Sequence, residues 1–421
     1  MDMEVSPAAL KGVVHAIPSK SLAHRALICA GLADGPTFVR CEGVSGDISA
    51  TVVCLNALGA DIRRGPGGFS VRPLARGGAQ PPAPLPCGES GSTFRFMLPI
   101  AGALGRDASF ILEGRLPERP LLPLYEELAR HGCKLSPQGS NPFHIEGTLA
   151  PGGYILDAGV SSQFISGLLF ALPLLEGESE LKLSGRMESY PYIELTIGML
   201  EAFGVKAPFD GAAFLIPGGQ SYRSPGELQV EGDWSNAAFW LSAGAIGDEN
   251  GSVTCEGLDP QSHQGDRAIT DILARFGANV SIGSSSVTVS GGELHGIEID
   301  ARDIPDLVPV LAVVGAVAAG TTVISSAGRL RGKESDRLAA VSGILRELGA
   351  DIRETDDGLI IHGGALLKGG RVSSWNDHRI AMAAAIAATV CSAPVTIHGA
   401  ETVGKSYPGF FDDLRVLGGS T

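Results

Sequence analysis

The sequence predicts a two-domain α/β protein in which each domain repeats one strand–helix unit three times, with helices buried inside and sheets outside. Three observations carry this. Glycines 59, 132, 204, 277, 349 and 418 close similar stretches of the form Leu-x-x-apolar-Gly (the copy at Leu128–Gly132 is looser), spaced by 73, 72, 73, 72 and 69 residues. A polar cluster followed by an almost wholly apolar helical stretch recurs in each interval. The 421 residues suffice for two cores, since one hydrophobic core rarely serves more than about 250–300 residues.

Each repeat has the same parts. An amphipathic helix precedes each stop, as in DRAITDILARF (266–276) and DRLAAVSGILREL (336–348), and the glycine supplies the left-handed C-cap that a Cβ would disfavour. A hairpin pattern follows most stops, as in 278–292 and 350–364. Then come a short strand, the polar cluster, the apolar helix and a closing strand: TFVRCEG, SFILEGR, ELKLSGR, SVTCEGL, TVISSAG and VTIHGAE in turn. A helix apolar on every side must be buried on every side. The sixth repeat lacks its hairpin, and the strand-like segment Met3–Gly12 is placed to supply part of it. The expected domains are therefore 1–13 with 230–421, and 14–229. The chain then crosses twice, near 13–18 and 226–231, a natural hinge for closure over a substrate.

Composition narrows the function. A net charge of −14 argues against nucleic acid or an anionic membrane as the partner, though a cleft can still focus positive charge on a small anion. Seven scattered cysteines without a CxxC pair read as reduced, buried thiols in a cytoplasmic protein. MDMEVSPAALKG has no signal-peptide pattern. The uncharged stretch Leu307–Ala327 holds Pro309 and Thr321-Thr322, and reads as a buried helix followed by a strand rather than a membrane span.

The chemistry-bearing residues fall at helix starts. The clusters opening the apolar helices are Ser19-Lys20-Ser21, Glu89-Ser90-Gly91-Ser92, Ser161-Ser162-Gln163, Asp233-Trp234-Ser235-Asn236, Asp306 and Asn376-Asp377-His378-Arg379. Unpaired N–H groups and the helix dipole favour anions there, although polar caps also serve ordinary helices. The second connections of three repeats add Glu118-Arg119-Pro120, Lys333-Glu334-Ser335-Asp336-Arg337 and Gly404-Lys405-Ser406. Arg119, Arg337 and Arg379 suit a bidentate grip on carboxylate or phosphate, and Lys20, Lys333 and Lys405 act as compact charges. Asp336 is expected to cap its helix or orient a neighbouring cation.

The stretches PSKSLAHRAL (18–27), ESGSTFRFM (89–97), LPERP (116–120), VSSQFISGLL (160–169), SYPYIELT (189–196), EGDWSNAAF (231–239), IPDLVPVLA (304–312), GKESDR (332–337), NDHRIAMA (376–383) and GKSYPGFF (404–411) span nearly the whole chain. Together they resemble the 5-enolpyruvylshikimate-3-phosphate synthases, enolpyruvyl transferases of the shikimate pathway. The resemblance implies a two-domain inverse α/β barrel, three βαβαββ repeats to a domain, acting on shikimate 3-phosphate and phosphoenolpyruvate without metal or organic cofactor, as a monomer. By motif, Ser21 and Arg25 meet the shikimate carboxylate; Ser161, Ser162, Ser189 and Lys333 surround its 3-phosphate; and Gln163 lies between the substrates. Lys20, Gly91, Arg119 and Gln163 meet the phosphoenolpyruvate phosphate, and Arg337, Arg379 and Lys405 its carboxylate. Asp306 matches the proposed general base on the shikimate hydroxyls, and Glu334 with Lys20 the groups for proton transfer at the methylene carbon.

Departures from the family pattern are Glu89, Phe94 and Phe96 in ESGSTFRFM, and Arg329 where some members have Asn. Members are commonly inhibited by glyphosate at the phosphoenolpyruvate position, and Gly91 implies sensitivity. The alternative is the sister transferase that acts on UDP-N-acetylglucosamine. That family carries Lys-Asn near the N-terminus and a Cys- or Asp-bearing loop, against Lys20-Ser21 and a Cys-free loop at Asp107–Pro120. A non-catalytic anion-binding protein of the same fold is disfavoured by the presence of Asp306, Glu334 and the arginines.

Overall fold

The computed structural model describes residues 1–75, 82–247, 251–364 and 366–421. It divides into two compact units, Lys20–Val230 and Met1–Ser19 with Glu231–Thr421.

In the unit 20–230 the helices alternate between buried and amphipathic: α1 (Lys20–Gly31), α2 (Gly46–Ala57), α3 (Gly91–Ala103), α4 (Leu124–Arg130), α5 (Ser162–Ala171) and α6 (Tyr190–Ala202). The odd-numbered helices are buried over nearly their whole length, whereas α2 and α4 bury one face. Each helix pair carries a small sheet of one plan. In the second, strand Ala83–Gly88 runs parallel to Ala108–Leu112, which pairs antiparallel with Phe143–Glu146.

The other unit repeats the plan with α7 (Trp234–Ile246), α8 (Ile269–Phe276), α9 (Val308–Val317), α10 (Arg337–Glu347), α11 (His378–Ala388) and α12 (Phe410–Val416). Every residue of α7 and of α11 is buried. The uncharged stretch at 307–327 is α9 followed by the strand Gly320–Ser325. No helix among the described residues is long and apolar enough to cross a membrane.

All six stop glycines have positive φ, between 71° and 106°, which is the left-handed cap their spacing predicts. The fold class read from the sequence therefore stands, as mixed α/β repeats with helices inside.

Sheet pairing places the chain's ends. Strand Asp2–Val5 pairs antiparallel with Val395–His398 and fills the place of the sixth repeat's hairpin. Strand Gly12–His15 runs parallel to Ser252–Glu256, and Glu227–Gln229 runs parallel to Thr37–Arg40. Each thus supplies the first strand of the opposite half of the sequence. This corrects the first expected boundary: residues 14–19, assigned to the domain 14–229, stay with the C-terminal unit through the Gly12–His15 ladder and the Pro18–Gly232 bridge. All seven cysteines are free and buried.

Candidate active site

In the unit 20–230 the first turns of α1, α3 and α5 gather at one end. Lys20 Nζ is 2.9 Å from Asp47 Oδ2, on the first turn of α2. Ser90 caps α3 by accepting from Thr93 N, and Ser161 caps α5 by accepting from Gln163 N. The side-chain amide of Gln163 is held at both ends: its oxygen accepts from Arg95 Nη1 at 2.7 Å, and its nitrogen donates to Ser92 Oγ at 2.9 Å. Arg95 itself lies over the Phe164 ring. Its charge is disfavoured first by burial and then by Arg119.

Gly91 opens α3 against the guanidinium of Arg119. A Cβ built on Gly91 would lie 2.6 Å from Arg119 Nη1, closer than real contacts allow. The space beside Gly91 that a Cβ would need is therefore taken up by Arg119, an arginine expected at the site. Arg25 is almost wholly inside: Nε donates to Thr196, Nη1 to the Ser21 carbonyl, and Nη2 to the Tyr192 carbonyl and Ser166. Phe96, one of the departures, lies beneath its guanidinium at 5.3 Å, and burial lowers the Arg25 pKa to about 10. Phe94, the other bulky departure, packs edge-on against Phe110 and Phe143 in the core. Ser189, buried, holds φ 56° at the start of α6. Ser21 and Ser162 lie half-buried in the first turns of α1 and α5.

The second cluster belongs to the other unit. Asp306 sits in a 3₁₀ turn, Pro305–Leu307, leading into α9. One carboxylate oxygen pairs with Arg337 Nη1 at 2.8 Å and the other with Arg379 Nη2 at 2.9 Å. Arg337 also grips the fully buried Asp377, from Nε at 2.7 Å and Nη2 at 3.3 Å. Asp377 takes a further bond from Ser335 and caps α11 by accepting from Arg379 N. Burial disfavours charge on Arg337, but Asp377, Asp306 and Glu334 outweigh it and raise its pKa.

Glu334 lies 3.6 Å from Arg337 Nη2, and its other oxygen meets His378 Nδ1 at 2.9 Å. Asp336 both caps α10, accepting from Ala339 N, and pairs with Arg331 at 3.0 Å. Lys405 Nζ donates to the Asn376 carbonyl at 2.6 Å. Lys333 lies half-buried at the end of the 3₁₀ turn Gly328–Gly332. Arg329, the remaining departure, donates to the Arg302 carbonyl. Glu334, Asp377 and His378 bring one ligand atom each within 4.8 Å of one another, but the bonds above commit them to each other and to arginine.

Four residues given no role by the sequence reading join these clusters: Asp47, Arg95, His378 and Asp266. Asp266 was expected to start an amphipathic helix. It lies instead in a 3₁₀ turn, Gly265–Ala268, buried and bonded to Ser235 on the first turn of α7. Burial, then the charge of Asp306, raise its pKa to about 7 against the pull of Arg379. None of the four announces its partner, because each meets it across tens of residues of chain.

Helix N-termini, fixed guanidinium groups and the carboxylates paired with them define a protein suited to small polyanionic substrates. The comparisons with known proteins narrow that class. The family model for EPSP synthase (3-phosphoshikimate 1-carboxyvinyltransferase) matches residues 5–414, and the chain belongs to this family. It is 44% identical to the 3-phosphoshikimate 1-carboxyvinyltransferase of Clostridium kluyveri, over 99% of this chain and 97% of that protein. With the enzyme of that name from Clostridium acetobutylicum the identity is 43%, over 99% and 97%. Among solved structures it is similar to EPSP synthase from Acinetobacter baumannii, with TM-score 0.82, 28% identity and full coverage of both chains. It shares its fold with the enolpyruvyl transferase NikO from Streptomyces tendae, at TM-score 0.81 and 20% identity, over 99% of this chain and 97% of that one.

Proposed function

We propose that this protein transfers the enolpyruvyl group of phosphoenolpyruvate to the 5-hydroxyl of shikimate 3-phosphate and releases phosphate. Membership of the EPSP synthase family supports the reaction. The single geometric observation that carries it is Asp306 pinned between Arg337 and Arg379, with Glu334 beside Arg337. That cluster holds a base, a second proton carrier and two carboxylate-binding cations.

The chemistry needs these groups. As the 5-hydroxyl attacks C2 of the enol phosphate it loses a proton, while C3 gains one; the tetrahedral adduct then expels phosphate as C3 returns its proton. Asp306 takes the hydroxyl proton, and Glu334, with Lys20, serves C3. Arg337, Arg379 and Lys405 bind the phosphoenolpyruvate carboxylate, which shares the two guanidinium groups with Asp306. Lys20, Gly91, Arg119 and Gln163 take its phosphate, at the positive end of α3. Ser21 and Arg25 receive the shikimate carboxylate. Four of the five N–H groups of Arg25 go to internal acceptors, so its contribution is one hydrogen bond and a fixed charge. Ser161, Ser162, Ser189 and Lys333 hold the 3-phosphate, with Lys20, Gln163 and Asp306 also lining the acceptor. The protein works as a monomer in the cytoplasm.

Mixing the protein with both substrates and measuring released phosphate tests the reading. Release with UDP-N-acetylglucosamine but not with shikimate 3-phosphate overturns it. Glu334→Gln is expected to cut turnover by orders of magnitude with both substrates still bound, and a near-normal rate removes Glu334 from proton transfer.

A further inference from the structure

A chain of buried side chains runs through the unit 20–230 and is not used by the chemistry above. It starts at His24 on α1, whose Nδ1 lies 2.7 Å from Thr51 Oγ1 on α2. Thr51 Oγ1 is 2.7 Å from Thr93 Oγ1 on α3, and Thr93 Oγ1 is 2.8 Å from Ser90 Oγ, the cap of that helix. All four side chains are at most 1% exposed. The hydroxyl of Thr93 also has the Asp47 carbonyl as a longer alternative acceptor, at 3.4 Å.

The chain links the elements that carry one set of anion-binding groups. His24 lies between Lys20-Ser21 and Arg25 on the inward side of α1. Thr51 is one turn along α2 from Asp47, the partner of Lys20. Ser90 immediately precedes Gly91, which faces Arg119. Helix faces held together by apolar contact alone can slide on one another at little cost, because such contact is non-directional. Hydrogen bonds at fixed lengths oppose that, and the three links from His24 to Ser90 favour a single register.

Its polarity also follows. His24 Nε2 is buried with no hydrogen-bond partner among the described residues, beside the Phe96 ring. An orphaned buried N–H is rarer than an under-satisfied acceptor, which places the proton on Nδ1. His24 then donates to Thr51, Thr51 to Thr93, and Thr93 to Ser90, whose oxygen also caps Thr93 N. The ring stays neutral: burial lowers its pKa to about 3, aided by Lys20 and Arg25 and opposed by Asp47.

We propose that the His24–Thr51–Thr93–Ser90 chain positions the N-terminus of α3, and with it Gly91, against Lys20 and Asp47, so that these four residues set affinity for the phosphate of phosphoenolpyruvate without touching it. The inference rests on the function proposed above.

The test is steady-state kinetics of wild type, Thr51→Val and Thr51→Ser, with both substrates varied. Valine keeps the shape and removes the hydroxyl. Its KM for phosphoenolpyruvate should rise about tenfold, with kcat within about threefold and KM for shikimate 3-phosphate within about twofold, and serine should restore it. An unchanged KM for phosphoenolpyruvate, or an equal rise for both substrates, shows that the chain serves packing alone and overturns the proposal. Should Thr51→Val not fold, Thr93→Ala carries the same expectation, and failure of both to fold likewise overturns it. Wild-type protein that releases no phosphate sinks the function itself. In wild type, ¹⁵N shifts of His24 should show Nδ1 protonated and no titration between about pH 5 and 8; the other tautomer refutes the assigned polarity.

Discussion

Asp377→Asn removes one oxygen from a carboxylate on which four donors converge: Ser335 Oγ, Arg337 Nε, Arg337 Nη2 and Arg379 N. The remaining oxygen can still cap α11, but the new amide turns N–H towards the donors of Arg337. A hydrogen bond to a charged group contributes about 1.5–3 kcal/mol, and breaking a buried ion pair costs about 3–5 kcal/mol. Arg337 keeps Asp306 at 2.8 Å, which offsets part of this and leaves an expected loss of about 3 kcal/mol. At roughly 2–4 °C per kcal/mol for a domain of about 200 residues, Tm should fall by roughly 6–12 °C. Urea and thermal unfolding of wild type and variant measure it, with KM for phosphoenolpyruvate as companion, since Arg337 is then freer to move. A loss under about 1 kcal/mol, as at an exposed pair, would show that Asp377 is not the anchor of Arg337.

Gly91→Ala puts a methyl group where Arg119 Nη1 lies, 2.6 Å from the new Cβ. The guanidinium is flexible and yields, so the protein should fold normally while KM for phosphoenolpyruvate rises about tenfold, or about 1.4 kcal/mol; unchanged kinetics would disprove the contact. Asp266→Asn tests the buried acid. With its folded pKa raised from 3.8 to about 7, the native state binds more protons than the unfolded chain between those values, so this group's contribution to stability falls as pH rises through that window. Unfolding at pH 5 and pH 8 should show the variant gaining on wild type by a few kcal/mol at the higher pH, about 1.4 kcal/mol per pH unit, and a pH-independent difference refutes this. Gln264→Ala removes a buried amide that accepts from Ser19 and Trp234 N and donates to Glu231 and Gly232. Orphaned groups of this kind cost about 1–3 kcal/mol each, so chemical unfolding should shift by several kcal/mol, and a shift under 1 kcal/mol contradicts the bonding.

The repeat was legible because a helix cap is a local event. A left-handed cap favours glycine wherever it falls, and the six caps leave six glycines in step. The polar clusters were legible for the same reason: Ser90, Ser161, Asp233 and Asp377 cap their own helices within two or three residues. The role of Asp336 as cap and partner of a cation was readable from its place before an amphipathic helix.

Other features required the tertiary structure. The start of the C-terminal unit's sheets depends on which strand the segment 12–15 joins, and both ladders of that kind pair residues more than 180 apart in sequence. No local signal marks Asp266 as buried, because its pattern also fits an exposed helix start. The arginines could be counted but not assigned. Arg25 turns inward to Thr196 and Ser166, while Arg337 divides itself between Asp306 and Asp377.

The sequence by itself determined the six glycine stops, the repeat and the kinds of groups available for anion and proton chemistry, since all of these follow from spacing along the chain. The tertiary structure alone decided which carboxylate each cation meets and which acid is buried, because charge pairing and desolvation depend on distance and surroundings in space.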